Sequence, residues 1–190
     1  TKKKNIFVIS TFKRPVPLEH YLYYSNQMYK IVDSNSQYLI AGYRKALNAS
    51  KLKQPTSQSA QMYKNAKNTK GSRSEWIKLI KHLQSKNAIP VVVFDFSKKK
   101  VEANAYGLTS TDLTTTSEKH QIHMFVELCI KRLKGSDRRL PQVLRIKELL
   151  KRGVGVHHSG LLPMVKEIVE MLFSRGLVKV LFATETFAMG

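Results

Sequence analysis

The hydrophobic and polar positions divide the chain into an ordered beginning, a polar middle and a long ordered remainder. Runs rich in aromatic and β-branched residues predict short strands in the first part. These strands are expected at 5–11, 18–24 and 28–32. Pro15 and Pro17 hold the backbone between the first two strands extended, and a short helix is expected over 37–47. Residues 1–47 are therefore predicted to form a strand-rich entry segment.

The pattern breaks over residues 48–73, where apolar side chains are sparse and Gln, Ser, Asn, Thr and Lys dominate. No acidic residue occurs between Asp33 and Glu75. A segment of this composition buries too little apolar surface to offset the entropy of ordering it. It is therefore predicted to be a basic, flexible linker.

Helical and strand patterns alternate over residues 74–190, which are predicted to form the main domain. Apolar residues at helical spacing predict a helix over 74–86 with Ser74 as its N-cap. The unbroken apolar run at 90–94 predicts a fully buried strand of a parallel sheet. Further helices are expected at 98–105, 117–133, 141–152 and 163–175, and further strands at 154–156 and 178–183. The fold class is therefore α/β, a parallel sheet with helices on both faces.

Composition adds a candidate partner to this fold. Lys and Arg number 33 against 13 Asp and Glu, which gives a formal charge of +20. Such an excess favours a polyanion such as nucleic acid, because counterions are released when phosphates are bound; a merely soluble or ribosomal-type basic protein is the alternative.

No apolar run approaches the roughly 18 residues of a membrane span. The single cysteine, Cys129, excludes an internal disulfide and is expected in the core.

Three turns that follow predicted strands carry candidate chemistry, because ligands of such sheets bind beyond the carboxyl ends of the strands. In the first turn, Ser97 offers a hydroxyl where a helix begins, although it is equally well placed as a simple helix cap. In the second, Gly160 would admit a phosphate close to the backbone. The third ends in two hydroxyls, those of Thr184 and Thr186. A row of phosphate contacts of this kind suits one nucleic-acid strand lying across the sheet.

Two nucleotide-binding patterns and a metal site are disfavoured. Gly155 and Gly160 have the glycine spacing of a P-loop, but Leu161 and Leu162 stand where Lys and Ser or Thr would be needed. No G-x-G-x-x-G follows the first strand, which argues against a dinucleotide enzyme. Adjacent histidines before Ser159 are expected to point apart, with no carboxylate nearby, so zinc is not expected.

The residues match a known family at several places. VVVFDFSKKKVE (91–102) resembles motif IV of superfamily-two helicases, and GVGVHHSGLLP (153–163) resembles the motif that follows it. VLFATETFAMG (180–190) resembles motif V in the form used by exosome-associated DExH RNA helicases. STFKRPVPLEHYL (10–22) resembles the entry into their second RecA-like domain. The stretches at 107–119 and 135–144 are similar to the cytoplasmic, superkiller branch rather than to the nuclear branch.

The resemblance implies a 3′-to-5′ RNA helicase, ATP-dependent with magnesium, that unwinds mRNA and feeds it to the cytoplasmic exosome. Its implied partners are single-stranded RNA, the exosome, a tetratricopeptide scaffold and a β-propeller subunit. The residues implied to contact RNA phosphates are Ser97, His158, Ser159, Gly160, Thr184 and Thr186. Gly190 would lie beside the nucleotide.

The sequence departs from the family pattern in what it lacks. It stops before the asparagine that ends motif V, and motif VI, the Walker A lysine and the DExH carboxylates are absent. The chain is therefore interpreted as an incomplete second RecA-like domain that binds no ATP or magnesium and has no ATPase alone. The alternatives are a non-enzymatic basic α/β module that binds RNA or protein, and the nuclear exosome relative.

Overall fold

The computed structural model describes residues 10–11, 14–51, 70–133 and 135–189. These residues separate into two compact units, one ending at residue 51 and the other beginning at residue 70. The predicted strand at 5–11 falls mostly outside the described residues, as does most of the predicted linker. None of the described helices is long and apolar enough to cross a lipid bilayer.

The first unit is a hairpin with one helix. Strands β1 (His20–Tyr24) and β2 (Gln27–Val32) pair antiparallel, as the aromatic and β-branched runs predicted. Ser25 and Asn26 join them with positive φ angles of 51° and 64°, the conformation that a two-residue hairpin turn requires. Helix α1 (Ile40–Lys51) packs on β2 so closely that a Cβ atom on Gly42 would lie 1.8 Å from the Lys30 carbonyl oxygen.

Two helices do not start where they were predicted to start. Helix α1 begins at Ile40 rather than 37 because Tyr38 still bridges Val32, and the Leu39 N–H donates to the Ile31 carbonyl oxygen. Helix α2 (Lys70–Ser85) begins four residues before Ser74, which therefore is not its N-cap. Both helices extend into the polar segment because each added residue gains a backbone hydrogen bond once a helix has formed.

The second unit is an α/β sheet structure. Its helices are α2, α3 (Lys98–Gly107), α4 (Thr116–Ile130), α5 (Pro141–Leu150) and α6 (Pro163–Ser174). Its strands are β3 (Val91–Phe94), β4 (Val154–His157) and β5 (Val180–Ala183), with short 3-10 turns at Asp137–Arg139 and Glu185–Met189. All three strands are parallel, in the order β3-β5-β4. The predicted α/β class with a parallel sheet is confirmed.

Helices cover both faces of the middle strand. A Cβ atom on Gly155 of β4 would touch Leu181 of β5 and Val169 of α6, so this face packs on α6. The next residue of β5, Phe182, points to the opposite face. Its ring meets Trp76 of α2 edge-to-face at 5.7 Å. Because β5 is covered on both faces and paired on both sides, it is the most enclosed strand of the sheet.

Strand β3 differs from its prediction. Its unbroken apolar run predicted a fully buried strand, yet Val91–Val93 are half-buried and the Phe94 side chain is 55% exposed. The physical reason is position: among the described residues β3 pairs only with β5, so it forms an edge of the sheet. An unbroken apolar run indicates that a strand is buried, but it does not distinguish an edge strand of the sheet from a central strand.

Helix α4 begins with a capping box whose pattern Thr-x-x-Glu is visible in the sequence. The Glu118 N–H donates to Thr115 Oγ1, and the Thr115 N–H donates to Glu118 Oε2 at 2.8 Å. The other oxygen of Glu118 accepts from Lys179 Nζ at 2.6 Å, just before β5. One carboxylate therefore both starts α4 and fastens it to the amino-terminal edge of the sheet.

Replacing Glu118 with Gln keeps a capping acceptor but removes the charge opposite Lys179. The Lys179 ammonium, helped by the Thr115 N–H, holds the pKa of the Glu118 carboxyl below its usual value. The ionised form therefore stabilises the fold above the unfolded-state pKa, and this contribution is lost as pH falls through the folded-state pKa. We expect E118Q to lower the free energy of unfolding by about 1–2 kcal/mol at pH 7, with the difference vanishing in acid.

Urea unfolding of both proteins at pH 7 and in acid measures this difference. The matched control is E148Q, because Glu148 pairs with Lys151 but is 67% exposed and should contribute little. An E118Q protein that stays less stable by the same amount in acid would contradict the electrostatic explanation.

Candidate nucleic-acid interface

The three predicted turns lie side by side at the carboxyl edge of the sheet. The last residues of β3 and β4, Phe94 and His157, are both in register with Ala183 at the end of β5. The Asp95 N–H donates to the Ala183 carbonyl oxygen, and the Thr184 N–H donates to the His157 carbonyl oxygen, both at 3.0 Å. The turn after β5 is therefore in the middle of the row, an order that the sequence did not predict.

The first turn is closed by its own hydrogen bonds. The Ser97 N–H donates to Asp95 Oδ1 at 2.9 Å, and Ser97 Oγ accepts from the Lys100 N–H at 3.4 Å. Ser97 is thus the N-cap of α3, the structural role that the sequence left open. Ser97 is half-buried, and the predicted phosphate contact of its hydroxyl stays a prediction.

The second turn is organised around a buried histidine. The His158 ring is 3% exposed, its Nδ1 accepts from the Gly160 N–H, and its Nε2 lies 3.1 Å from Glu102 Oε1 on α3. Since Nδ1 accepts, Nε2 carries the proton and donates to the carboxylate. The ring therefore positions the turn by engaging the Gly160 N–H, and the exposed Ser159 is the part available to a ligand.

A glutamine fixes the far side of the same turn. Gln142 Nε2 donates to the Gly160 carbonyl oxygen at 3.2 Å, and Gln142 Oε1 accepts from the Leu162 N–H at 2.9 Å. The side-chain amide thus bridges α5 to the start of α6. Nothing in the local sequence pointed to Gln142, because its partners are 18 and 20 residues away along the chain.

The third turn joins the two hydroxyls that the sequence selected. Thr184 is 3% exposed, and its Oγ1 lies 3.0 Å from Thr186 Oγ1. The Phe187 N–H donates to the Thr184 carbonyl oxygen and begins a short 3-10 turn. Thr186 is half-buried while Glu185 is exposed. Thr184 therefore orients the hydroxyl of Thr186, which is the more accessible of the two.

Lys98 connects the first and second turns, a role that sequence analysis missed. Its Cδ atom lies 3.8 Å from where a Cβ on Gly160 would stand. Lys98, Lys99 and Lys100 fill the first turn of α3, which holds no acidic residue. Cations oppose the positive end of a helix dipole, so this arrangement costs stability unless an anion is present. Three lysines in the first turn of a predicted helix were therefore the signal in the sequence from which this role could have been recognised.

The adjacent histidines point apart, as the sequence predicted. His158 turns toward Glu102, whereas His157 Nε2 lies 2.6 Å from Glu170 Oε1 on α6. The expectation that no carboxylate stands nearby was wrong, because each ring meets a glutamate distant in sequence. Among the described residues, no group of three or more His, Cys, Asp or Glu side chains is placed to hold a metal ion.

The P-loop spacing of Gly155 and Gly160 has a packing explanation. Gly155 lies inside β4, where a Cβ would stand 2.9 Å from Leu181 Cδ1 and 3.0 Å from Val178 Cγ1. Leu161, in the place of a phosphate-binding lysine, is buried. These residues do not form a phosphate-binding loop for a nucleoside triphosphate. Gly190, the predicted nucleotide contact, lies outside the described residues.

Comparison with known proteins decides the family. The chain is 51% identical over its whole length to Superkiller complex protein 2 of Homo sapiens. It is 39% identical over its whole length to the antiviral helicase SKI2 of Saccharomyces cerevisiae. It is 40% identical over 99% of its length to the exosome RNA helicase MTR4 of Homo sapiens. The chain belongs to the family of superkiller and exosome DExH RNA helicases.

The match covers only part of each relative. The chain spans 16% of the human superkiller protein and 18% of yeast SKI2 and human MTR4. No family model matches the chain. The predicted family is confirmed by the relatives, and the parallel α/β sheet is consistent with part of a RecA-like helicase domain.

Proposed function

We propose that this chain is the RNA-gripping part of the second RecA-like domain of an ATP-dependent RNA helicase. In this proposal the parent protein moves 3′ to 5′ and delivers mRNA to the exosome in the cytoplasm, with a scaffold and a propeller subunit as partners. The relatives' names support RNA helicase and exosome association. Identity to the superkiller protein exceeds identity to human MTR4, which favours the cytoplasmic branch, although yeast SKI2 is no closer than MTR4.

One observation carries the gripping role: three turns that present backbone and hydroxyl groups form a continuous row at one edge of the sheet. In the order of the row, Ser97, Thr186 and Ser159 would contact successive phosphates of a single strand, and Gly160, which has no side chain, would let the strand approach closely. His158 and Thr184 would not contact the RNA themselves, and would instead hold Gly160 and Thr186 in place. Contacts of this kind fix a strand without reading its bases.

The lysines of α3 supply the charge for this row. Three cations occupy the first turn of α3, Lys98 lies next to the Gly160 backbone, and the helix dipole adds to their positive potential. Asp95, Glu102 and Glu185 are nearby, but Asp95 and Glu102 are engaged by Ser97 and His158. These hydrogen bonds orient the two carboxylates without cancelling their charge, so the cations offered to phosphates are those of the α3 lysines.

ATP and magnesium belong to the proposed activity of the parent protein. When bound there, the nucleotide would supply the free energy for stepping. The described residues form no binding site for a nucleoside triphosphate, so no step of hydrolysis is assigned to them. The purified chain is expected to bind RNA weakly, in a salt-sensitive and sequence-independent way, and to show no ATPase activity of its own.

The double variant T184V/T186V tests the row. Valine keeps the shape of threonine but removes the hydroxyl pair, so we expect RNA affinity to fall about 5- to 30-fold, the equivalent of one or two hydrogen bonds to a charged group. Fluorescence anisotropy with a labelled single-stranded RNA measures the change. The control is T116V, whose hydroxyl lies at the start of α4 on the opposite edge. Unchanged affinity in T184V/T186V would place the grip elsewhere.

A further inference from the structure

The turn after β3 carries an aromatic side chain that the fold does not use. Phe96 is 93% exposed, the highest value for any large apolar side chain among the described residues. It stands between Asp95 and Ser97, inside the row of turns proposed to hold RNA phosphates. Its two neighbours are committed to the turn, whereas its ring makes no packing contribution to the core.

The backbone that carries this ring is fixed. Ser97 N–H donates to Asp95 Oδ1 at 2.9 Å, and Asp95 N–H donates to the Ala183 carbonyl oxygen at 3.0 Å. Residues on both sides of Phe96 are thus anchored, one to its own turn and one to the middle strand. A ring presented from an anchored backbone loses little further entropy when something binds to it.

Cations follow the ring closely along the chain. Lys98, Lys99 and Lys100 follow two to four residues later on the first turn of α3. An exposed aromatic surface next to a cationic track is the combination by which proteins hold single strands, because the cations meet the phosphates and the ring meets a base. A protein segment covering Phe96 would instead need to match these three charges with acidic groups.

We propose that Phe96 stacks on a base of the RNA strand held at this edge. The inference rests on the proposed function. It adds a base contact to a grip that otherwise touches only the phosphates of the RNA backbone. Every base has a flat π face, so stacking adds affinity without strict sequence preference. The strand would thus be held on two sides, its phosphates by the turns and one base by Phe96.

The test uses the natural full-length protein and two probes of equal length. One is oligoadenylate, and the other carries the same ribose phosphates without bases. We expect F96A to weaken oligoadenylate binding at least about fivefold and to leave binding of the abasic strand unchanged. F96Y, which keeps the ring, should bind like the unmodified protein, and F96L, which keeps only apolar volume, should behave like F96A.

M124A is the matched control, because Met124 is also exposed but lies on α4, whose contacts place it at the amino-terminal edge. Equal oligoadenylate affinity in F96A and the unmodified protein would overturn the stacking proposal. So would full binding by F96L, which would indicate an apolar cover such as a protein segment. Failure of the unmodified protein to bind the abasic strand in a salt-dependent way would instead count against the proposed phosphate grip.

Discussion

Replacing Phe182 with alanine is expected to lower the free energy of unfolding by about 3–5 kcal/mol. The ring is 1% exposed in the middle strand of the sheet and meets Trp76 edge-to-face at 5.7 Å. Truncation removes this aromatic pair and leaves a cavity between β5 and α2, which the paired strands on either side prevent from collapsing. Urea unfolding followed by circular dichroism measures the shift.

F96A is the matched control for this substitution. The same residue type is truncated in the same way, but at a position that is 93% exposed, so stability should change by less than about 0.5 kcal/mol. A loss of less than about 1 kcal/mol in F182A would contradict the packing described for the middle strand. A stable F96A protein would also exclude unfolding as the cause of any change in its RNA binding.

Much of the sheet was predictable because its signals are local. Unbroken apolar runs gave the positions of β3 and β5, and Gly153 and Gly176, with φ of 75° and 69°, end helices where a left-handed residue is needed. The turns after the strands followed from the parallel arrangement, since carboxyl ends of parallel strands share one edge. The order of the strands did not follow, because it depends on pairing between distant segments.

The side-chain roles at the site were less predictable, for the same reason. His158 was predicted to touch phosphate, but the structure engages both of its ring nitrogens, one with a glutamate 56 residues away in the sequence. The proximity of Lys98 to Gly160 likewise spans two elements that are distant along the chain. Residue type and local spacing placed these residues at one edge of the sheet, whereas the proposed division between contacting and positioning residues required the fold.

The lysines of α3 offer the strongest expected effect on binding. Neutralising Lys98, Lys99 and Lys100 together to glutamine should weaken RNA binding by at least about tenfold at low salt, because each phosphate contact on a single strand contributes about 0.7 to the salt slope. If all three contact phosphates, the slope of log K against log salt becomes shallower by about 2. The capping hydrogen bond of Ser97 uses backbone and should survive.

The control separates local contact from overall charge. Three exposed lysines lie on α2 or just beyond its end, before the start of β3: Lys78, Lys81 and Lys86. Changing these three to glutamine removes the same net charge, from +20 to +17 (20 − 3), without touching the row of turns. Long-range attraction alone would make the two triple variants equivalent.

The salt dependence of RNA affinity in the two triple variants is therefore the most direct measurement of whether this edge holds the RNA backbone. We predict a slope shallower by about 2 for K98Q/K99Q/K100Q and a nearly unchanged slope for K78Q/K81Q/K86Q. Equal slopes in the two variants would contradict a phosphate grip at the carboxyl edge of the sheet.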